Sequence, residues 1–313
     1  MGDAEAILRG ARRPLVIGMG GGGDVVGALA TAELSRLYDG ADPVLGGITW
    51  ERRPIDPVPG ARSVHEIEGA CELAPGVLLA GPQTRVRGRD VLFAESWMAA
   101  FLDRPTVLID INGGAGAVAD GLAQAARGLE CDLIVFIDVG GDVLAEGPEP
   151  GLTSPLCDAI MLAAAARLCA AGHSVLAGIF GIGCDAELTP AEVLARIAAV
   201  AGAGGFAGAR GLTEAAARRL EDAIALVPTE ASAQAVRAFR GASGNTPIRD
   251  GSRIVELSAT AAVTFYLDVE ATVRAAGRLA GAVDGARDLE AANQALNHLG
   301  LFTELDRERE AAR

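Results

Sequence analysis

The chain has 313 residues, half of them apolar, a formal net charge of −14 and no lysine, since all 27 basic residues are arginine. The lack of lysine excludes Schiff-base chemistry, a P-loop lysine and a lysine general base. The acidic balance argues against nucleic acid as a partner, because phosphate contacts require a basic surface.

Cysteine usage and hydropathy indicate a reducing, aqueous environment. The five cysteines are Cys71, Cys131, Cys157, Cys169 and Cys184. Their odd number and the lack of any Cys-x-x-Cys pair favour buried free thiols over disulfides or zinc. No apolar run reaches the ~20 residues of a membrane span, and the first residues lack a signal-peptide core. We expect a cytoplasmic protein that does not engage a membrane.

Short apolar runs alternate with helical patterns over the first 180 residues. The predicted strands are Pro14–Met19, Pro43–Ile48, Gly76–Ala80, Thr106–Ile111, Leu133–Val139 and Val175–Phe180. The predicted helices are Val25–Tyr38, Val91–Leu102, Ala115–Gly128 and Leu156–Ala171. Because most strands are apolar throughout, as parallel strands covered on both faces are, the pattern predicts a doubly wound, mostly parallel Rossmann-like α/β sheet.

The character of the sequence changes after residue 183. Thr189-Pro190-Ala191-Glu192 matches a capping box with proline in the first turn, which predicts a helix over 190–201. A glycine-rich break at 202–211 follows, and the chain ends in a charged tail that we expect to fray after Asp306. The remaining predictions are helices over 213–226, 230–240, 269–280 and 289–299 and strands over 254–257 and 263–268.

This change predicts two parts. Residues 1–200 would form the Rossmann-like ligand-binding core, and residues 201–313 a helix-rich C-terminal part packed on that core. One continuous domain is the alternative, because no long linker separates the two parts.

A glycine run follows the first strand and precedes a helix. Gly20, Gly21, Gly22, Gly23 and Asp24 form this turn. Glycines let the backbone approach a ligand closely, and the helix start presents free N–H groups and the positive end of its dipole. We therefore predict that the turn binds an anion or a nucleotide, while Asp24 is also suited to capping the helix.

The same turn contains Gly18-x-Gly20-x-x-Gly23, which matches a dinucleotide fingerprint. That reading requires an acid at the end of the second strand, and Glu51 lies somewhat late for it. NAD(P) is therefore an alternative cofactor.

Acids and glycines also follow the later strands. The predicted binding residues there are Asn112, Gly113, Gly140, Gly141 and Asp185. The predicted catalytic residues are Asp110, Asp138, Asp142 and Glu51. An acid directly after a buried strand is costly unless it is paired or used, and ligands of open α/β sheets bind at the carboxyl ends of strands. Asp138 and Asp142 are also the predicted ligands of Mg²⁺ or another hard divalent cation.

The set of turns resembles domain-of-unknown-function family 1152, found in archaea and bacteria. The matching segments include 20–24, 50–52, 137–142, 149–159 and 183–188, with Ala186 where the family pattern has glycine. The resemblance covers most of the chain and implies a shared site without specifying a reaction. It adds Glu149, Ser154 and Asp158 to the residues that could line that site.

Three functions fit these observations. The first is an enzyme that acts on a small phosphorylated or nucleotide-like molecule by hydrolysis or group transfer through strand-end carboxylates, with or without a divalent metal. The second is an NAD(P)-binding oxidoreductase, and the third is a non-catalytic ligand sensor. All three take a small, anionic molecule as partner, and the alanine-rich helix at 156–171 is compatible with a homodimer.

Overall fold

The computed structural model describes residues 3–313. Within them the strands are β1 (Pro14–Gly18), β2 (Val44–Ile48), β3 (Ile67–Ala74), β4 (Val77–Val86), β5 (Thr106–Ile109), β6 (Leu133–Val139), β7 (Val175–Phe180), β8 (Phe206–Gly211), β9 (Gly244–Ile248), β10 (Arg253–Leu257) and β11 (Val263–Leu267). The helices are α1 (Ala4–Gly10), α2 (Asp24–Leu34), α3 (Ala94–Leu102), α4 (Gly114–Gly128), α5 (Pro155–Ala170), α6 (Pro190–Gly202), α7 (Glu214–Ile224), α8 (Ala231–Phe239), α9 (Val269–Ala276), α10 (Arg278–Val283), α11 (Leu289–His298) and α12 (Glu304–Ala311).

Nine strands form one central sheet in the order β3-β4-β5-β2-β1-β6-β7-β11-β8. The five strands from β5 to β7 are parallel to one another, whereas β3, β4, β11 and β8 pair antiparallel with their neighbours. The α/β fold with a mostly parallel centre is therefore confirmed. Strands β9 and β10 form a separate antiparallel hairpin.

Helices cover both faces of the sheet, which explains the uniformly apolar central strands. Strands β1, β2 and β5 are buried along their whole length. One apolar core lies between the sheet and α4, α5, α6, α9, α10 and α11, and the other lies between the opposite face and α1, α2, α3, α7 and α8. Packing of helices on both faces of the parallel strands thus buries their apolar side chains away from water.

The six strands predicted for the first 180 residues are all present, with ends shifted by a few residues. One of them differs in direction and length: the predicted strand at 76–80 is β4, which runs to Val86 and pairs antiparallel with β5. The cause is the two-residue turn Pro75-Gly76, in which Gly76 has φ +73°. This tight turn reverses the chain between β3 and β4 and makes a hairpin.

Three predictions for the C-terminal part are wrong. The glycine-rich break contains β8, an edge strand that pairs with β11 and is mostly exposed or half-buried. The predicted helix over 269–280 is interrupted at Gly277, which separates α9 from α10. The tail that was expected to fray forms α12, whose first turn Thr303 caps. Elements α1, β3 and β9 were not predicted.

Strands β8 and β11 extend the sheet that begins in the N-terminal part, so both halves of the chain contribute to it. The division near residue 200 stays a prediction. Among the described residues, no helix combines the length and the apolar character that crossing a bilayer requires.

Candidate functional site

The candidate site lies at the point of the parallel sheet where the strand order reverses. From β1 the chain proceeds to β2 and β5 on one side, and it then returns to β6 and β7 on the other. Loops after β1 and β6 therefore separate, and a crevice opens between them at their carboxyl ends. Two helices, α2 and α5, begin at this crevice.

The first acidic triad consists of Asp24, Asp138 and Asp158, with one carboxylate oxygen of each lying within 4.8 Å of the others. Asp24 is the first residue of α2, Asp138 is the last but one of β6, and Asp158 lies in the first turn of α5. Three segments that are far apart in sequence thus bring their carboxylates close together. Asp138 and Asp158 are 1% and 2% exposed, respectively.

Two oxygens of this triad have no hydrogen-bond partner among residues 3–313: Oδ2 of Asp138 and Oδ1 of Asp158. A buried carboxylate oxygen without a donor is costly, and such groups are normally paired or bound to a metal. Asp24, by contrast, accepts a hydrogen bond from the backbone N–H of Gly20 at 2.9 Å. Gly23 occupies the N-cap position of α2, so Asp24 does not have the capping geometry that the sequence suggested.

The second acidic triad consists of Asp142, Asp185 and Glu187, whose ligating oxygens also lie within 4.8 Å of one another. Asp142 follows the Gly140-Gly141 turn after β6, and the other two acids follow β7. All three are buried. Glu187 is the best satisfied of them, because it accepts hydrogen bonds from the backbone N–H and hydroxyl groups of Thr153 and Ser154.

Glycine is required where these acids press against the backbone. A Cβ at position 20 would lie 2.5 Å from Oδ2 of Asp24, and one at position 140 would lie 2.3 Å from Cγ of Asp185. Gly140 also has φ +133°, which side-chain-bearing residues rarely adopt. The glycines of these turns therefore bring carboxylates close to the main chain.

Burial and mutual repulsion raise the pKa values of the five aspartates in the two triads. Desolvation raises the pKa of Asp24 to about 7, and that of Asp185 to about 7. The pKa values of Asp138, Asp142 and Asp158 are raised well above the ordinary range, first by burial and then by neighbouring carboxylates. A site that resists ionisation in this way favours either protonated carboxyls or a bound cation.

Helix α12 forms one wall of the crevice and holds Arg52 in place. The carboxylate of Glu304 accepts hydrogen bonds from the backbone N–H groups of Leu156 and Cys157 at the start of α5. It also lies 3.5 Å from Nη2 of Arg52, which donates to the carbonyl of Gly20 at 2.7 Å. The C-terminal helix is thereby connected to the glycine turn.

Glu308 completes this wall. It accepts hydrogen bonds from the indole N–H of Trp50 and from the backbone N–H of Gly60, and it lies 4.0 Å from Nη1 of Arg52. The Arg52 guanidinium stacks 4.4 Å from the Trp50 ring centroid. These contacts fix the orientation of the Arg52 guanidinium, which lines the cleft.

The crevice is a cleft of about 720 Å³. Its lining combines nine acids with the five arginines Arg52, Arg53, Arg249, Arg253 and Arg307. Five of the six acids of the two triads form its floor, together with the arginines that line it. A cleft of this size holds a small metabolite.

Several predicted residues contribute to this cleft. Gly20, Gly21, Asp24, Asp142 and Asp185 line it. Asp138 lies just below the floor, against Asp24 and Asp158. Gly140 and Gly141 form the turn between the triads without lining the cleft, and Gly22 and Gly23 lead from the glycine turn into α2.

Other predicted residues are not brought to the cleft. Asp110 accepts hydrogen bonds from the backbone N–H groups of Val64 and Asn112 and from the Asn112 amide, which makes a local turn. Gly113 precedes α4 in the same region. Glu51 is buried and accepts a hydrogen bond from the backbone N–H of Ala94 at the start of α3. Strands β2 and β1 lie between β5 and β6, so the structure separates the two predicted catalytic residues Asp110 and Asp138.

The residues suggested by the family resemblance divide in the same way. Ser154 and Asp158 line the cleft. Glu149 does not, because it accepts hydrogen bonds from the N–H groups of Glu146 and Gly147 and pairs with Arg196.

Sequence reasoning missed Arg249, Arg253, Glu304, Arg307 and Glu308, all of which line the cleft. They come from the β9–β10 hairpin and α12, far along the chain from the glycine turns. A weak signal was present in α12, since Glu304 and Glu308 are four residues apart and therefore share one helix face.

The geometry suits hard divalent cations. Each triad offers three carboxylate ligands, and oxygen-rich sites of this kind favour Mg²⁺, Mn²⁺ or Ca²⁺ over zinc. Neighbouring metal positions at an anion-binding crevice can stabilise the attacking and leaving oxygens of a displacement reaction.

Comparison with known proteins identifies the family of the chain. The family model described as "Protein of unknown function (DUF1152)" matches residues 15–312, and the chain belongs to this family. No curated protein and no solved structure matches the chain.

Proposed function

We propose that the protein is a divalent-metal-dependent enzyme that acts on a small phosphorylated molecule by hydrolysis or group transfer. The observation that carries this proposal is the pair of buried carboxylate oxygens, on Asp138 and Asp158, that lack any partner among the described residues. A structural role would require donors for these oxygens, whereas a cation-binding role requires that they be free.

The charge balance supports the same conclusion. The two triads place six carboxyl groups in a small volume, and among the described residues only Arg249, 4.0 Å from Glu187, has a side-chain nitrogen within 4.0 Å of a triad carboxylate. One guanidinium cannot neutralise six carboxylates. Divalent cations would supply the missing positive charge and lower the pKa values of the acids that bind them.

The elements around the triads are suited to an anionic substrate. Gly20 and Gly21 expose backbone at the start of α2, and Ser154 precedes the first turn of α5. Helix starts favour negative charge, and glycine allows close approach. A bound metal would act as a Lewis acid on a phosphoryl oxygen and would activate water.

In this proposal the chain's own residues have separate roles. Asp138 and Asp158 hold the cation at the floor, Asp24 anchors the glycine turn through Gly20, and Asp142 and Asp185 bind at the second position. Arg52 orients the substrate anion from the wall. Asp24, whose carboxyl group has a pKa of about 7, is suited to moving a proton at neutral pH.

No observation favours the NAD(P) alternative. Glu51, the acid that would contact the ribose, is 3% exposed and faces the start of α3 rather than the cleft. The dinucleotide reading also leaves both triads without a role.

Calorimetric titration with Mn²⁺ and Mg²⁺ tests the metal site, using the full chain after removal of metals with EDTA. We expect binding to the native protein and to Asp120→Asn, a matched control on the exposed face of α4. We expect greatly weakened binding by Asp138→Asn and Asp158→Asn. Equal affinities in all four proteins would refute the metal site.

The reaction is tested by phosphate release from a panel of nucleotides, sugar phosphates and p-nitrophenyl phosphate in the presence of Mn²⁺. Activity that Asp138→Asn abolishes and Asp120→Asn retains supports a hydrolase, and phosphoryl transfer to an added acceptor alcohol supports a transferase. If a metal binds but the panel is recovered unchanged, the enzymatic part of the proposal fails and a ligand sensor takes its place.

A further inference from the structure

Three arginines that line the cleft lack close acidic partners, although the protein has a large excess of acids. Arg249 and Arg253 come from the β9–β10 hairpin and Arg307 from α12, and we call them the arginine rim. Among residues 3–313, no carboxylate oxygen lies within 4.0 Å of the side-chain nitrogens of Arg253 or Arg307. Arg249 reaches only Glu187, at 4.0 Å.

Arg253 is fixed in place rather than mobile. Its Nη1 donates to the carbonyls of Gly151 and Ala186, both at 3.0 Å, and its Nη2 donates to the hydroxyl of Thr153 at 3.1 Å. The side chain is half-buried. Burial and the neighbouring charge of Arg249 lower the pKa of Arg253, and the charges of Glu187 and Asp185 offset this only in part.

The hairpin turn that carries Arg249 has an unusual backbone conformation. Arg249, Asp250 and Gly251 all have positive φ values, of 50°, 54° and 83°. Two consecutive residues with side chains in this region are unusual and cluster at ligand-binding positions. The carboxylate of Glu230 accepts a hydrogen bond from the N–H of Arg249 and holds the turn in this form.

The rim adjoins the second acidic triad. The hydroxyl of Thr153 accepts from Arg253 and donates to Oε1 of Glu187, so one side chain links the rim to the triad. An anion held by the rim would therefore also be within reach of a cation held by Asp142, Asp185 and Glu187. Phosphate is the anion that combines metal coordination with recognition by planar guanidinium groups.

We propose that Arg249, Arg253 and Arg307 form a phosphate-binding subsite that holds a phosphate group of the substrate beside the second acidic triad. Three guanidinium groups match a doubly charged phosphate better than a singly charged carboxylate. The assignment of this phosphate to a substrate rests on the proposed function, whereas binding of phosphate by the rim does not.

The test is calorimetric titration of the EDTA-treated full chain with inorganic phosphate at low ionic strength, repeated with Mn²⁺. We expect phosphate binding that weakens by about tenfold in Arg253→Gln and by a smaller factor in Arg249→Gln and Arg307→Gln. Arg274→Gln is the matched control, since Arg274 is an exposed arginine on α9, away from the cleft, and it should bind phosphate like the native protein.

Arg253→Gln also loses hydrogen bonds and could unfold, so Arg307→Gln provides the independent test. The Arg307 side chain makes no hydrogen bond with the described residues and stacks on Phe302 at 5.3 Å, so its replacement should leave the melting temperature unchanged. Unchanged phosphate affinity in a folded Arg307→Gln and in Arg249→Gln would overturn the subsite. Acetate binding as tight as that of phosphate would overturn the phosphate assignment.

Failure of this subsite and failure of the proposed function are distinguishable. Asp138→Asn should weaken metal binding greatly but keep metal-free phosphate binding that remains sensitive to Arg307→Gln. If the native chain binds no metal yet binds phosphate through the rim, the proposed function fails and the subsite stands. If metal binds normally but phosphate binds to neither the metal-free nor the Mn²⁺ form, the subsite fails.

Discussion

The ends of β5 and β6 have similar sequences but contrasting environments. In both, an aspartate follows a run of buried apolar residues and a pair of glycines comes shortly afterwards. At the end of β5, Asp110 is satisfied by three hydrogen bonds from Val64 and Asn112. At the end of β6, Asp138 is 1% exposed and one of its oxygens has no donor among the described residues.

The difference follows from the neighbours of each strand. Strand β6 has parallel neighbours on both sides, β1 and β7, whose carboxyl ends bring Asp24 and Asp185 to the same edge. Strand β5 has the antiparallel β4 on one side, and on the other side β2 is followed by Glu51, whose carboxylate is taken up by the start of α3. An acid at a strand end is thus a candidate site residue only where the sheet opens a crevice.

The strongest way to break this comparison is Asp138→Asn. We expect metal affinity to fall by at least about 100-fold, since a direct ligand is worth more than the supporting residues whose loss costs 10–100-fold. Without metal, the variant should melt at the same temperature as the native protein or higher at pH 8, because a buried repulsive charge has been removed. Calorimetry and thermal unfolding in EDTA measure the two effects.

A large loss of stability in metal-free Asp138→Asn would show that Asp138 is structural, like Asp110. Asp120→Asn, on the solvent side of α4, should change neither the metal affinity nor the melting temperature.

The converse substitution is Asp110→Ala, which should act on stability alone. It leaves the N–H groups of Val64 and Asn112 without their acceptor, so we expect the free energy of unfolding to fall by about 1–3 kcal/mol. Urea denaturation measures this loss, and Asp120→Ala serves as its control. The comparison would collapse if Asp110→Ala lost metal affinity as Asp138→Asn does.

Local sequence could not distinguish these two aspartates. The apolar runs predicted the parallel strands, because their uniform burial leaves a strong local pattern, and glycines with acids predicted Asp24, Asp138 and Asp142 as site residues. The direction of β4 depends on the hairpin with β3, which the sequence analysis did not recognise. Without that direction, the ends of β5 and β6 look equivalent.

Long-range packing limited the prediction of the rest of the site. Arg253 and Glu304 reach the cleft through contacts with Thr153, Leu156 and Cys157, more than 90 residues away in sequence. Nothing adjacent to them marks such a contact. The tail looked frayed because it is highly charged, yet Thr303 caps it and Leu305 packs into the core.

The pH dependence of stability provides a further test of the comparison between the ends of β5 and β6, with a moderate expected change in melting temperature. Asp24 and Asp185 have pKa values raised from 3.8 to about 7 in the folded protein, so between these values the folded state binds more protons than the unfolded state. Stability must then decrease as pH rises through this window. We expect the melting temperature in EDTA to fall by about 5 °C between pH 5 and pH 8.

Acids with lowered pKa values, such as Asp42 and Glu290, act in the opposite direction only below about pH 4.5 and do not offset this trend. Saturating Mn²⁺ should remove the decrease, because the metal replaces the protons. Asp138→Asn should reduce the slope in EDTA, because the pKa of Asp138 is raised well above its ordinary value. A melting temperature that rises from pH 5 to pH 8 in EDTA would contradict the buried repulsive cluster.

The smallest effect on metal affinity is expected at Glu304, which extends the comparison to a third acid. Glu304 lines the cleft, but its carboxylate oxygens already accept hydrogen bonds. Glu304→Gln keeps one acceptor for the N–H groups at the start of α5 but loses the charge that faces Arg52, so we expect about 1 kcal/mol of destabilisation. Metal affinity should change by less than about threefold, because the unpartnered oxygens of Asp138 and Asp158 remain in place. Glu310→Gln, on the exposed side of α12, is the control. Glu304 and Asp158 both line the cleft. A loss of metal affinity in Glu304→Gln as large as that in Asp138→Asn would therefore contradict the comparison. Proximity to the cleft, rather than the lack of hydrogen-bond donors, would then determine which acids bind the metal.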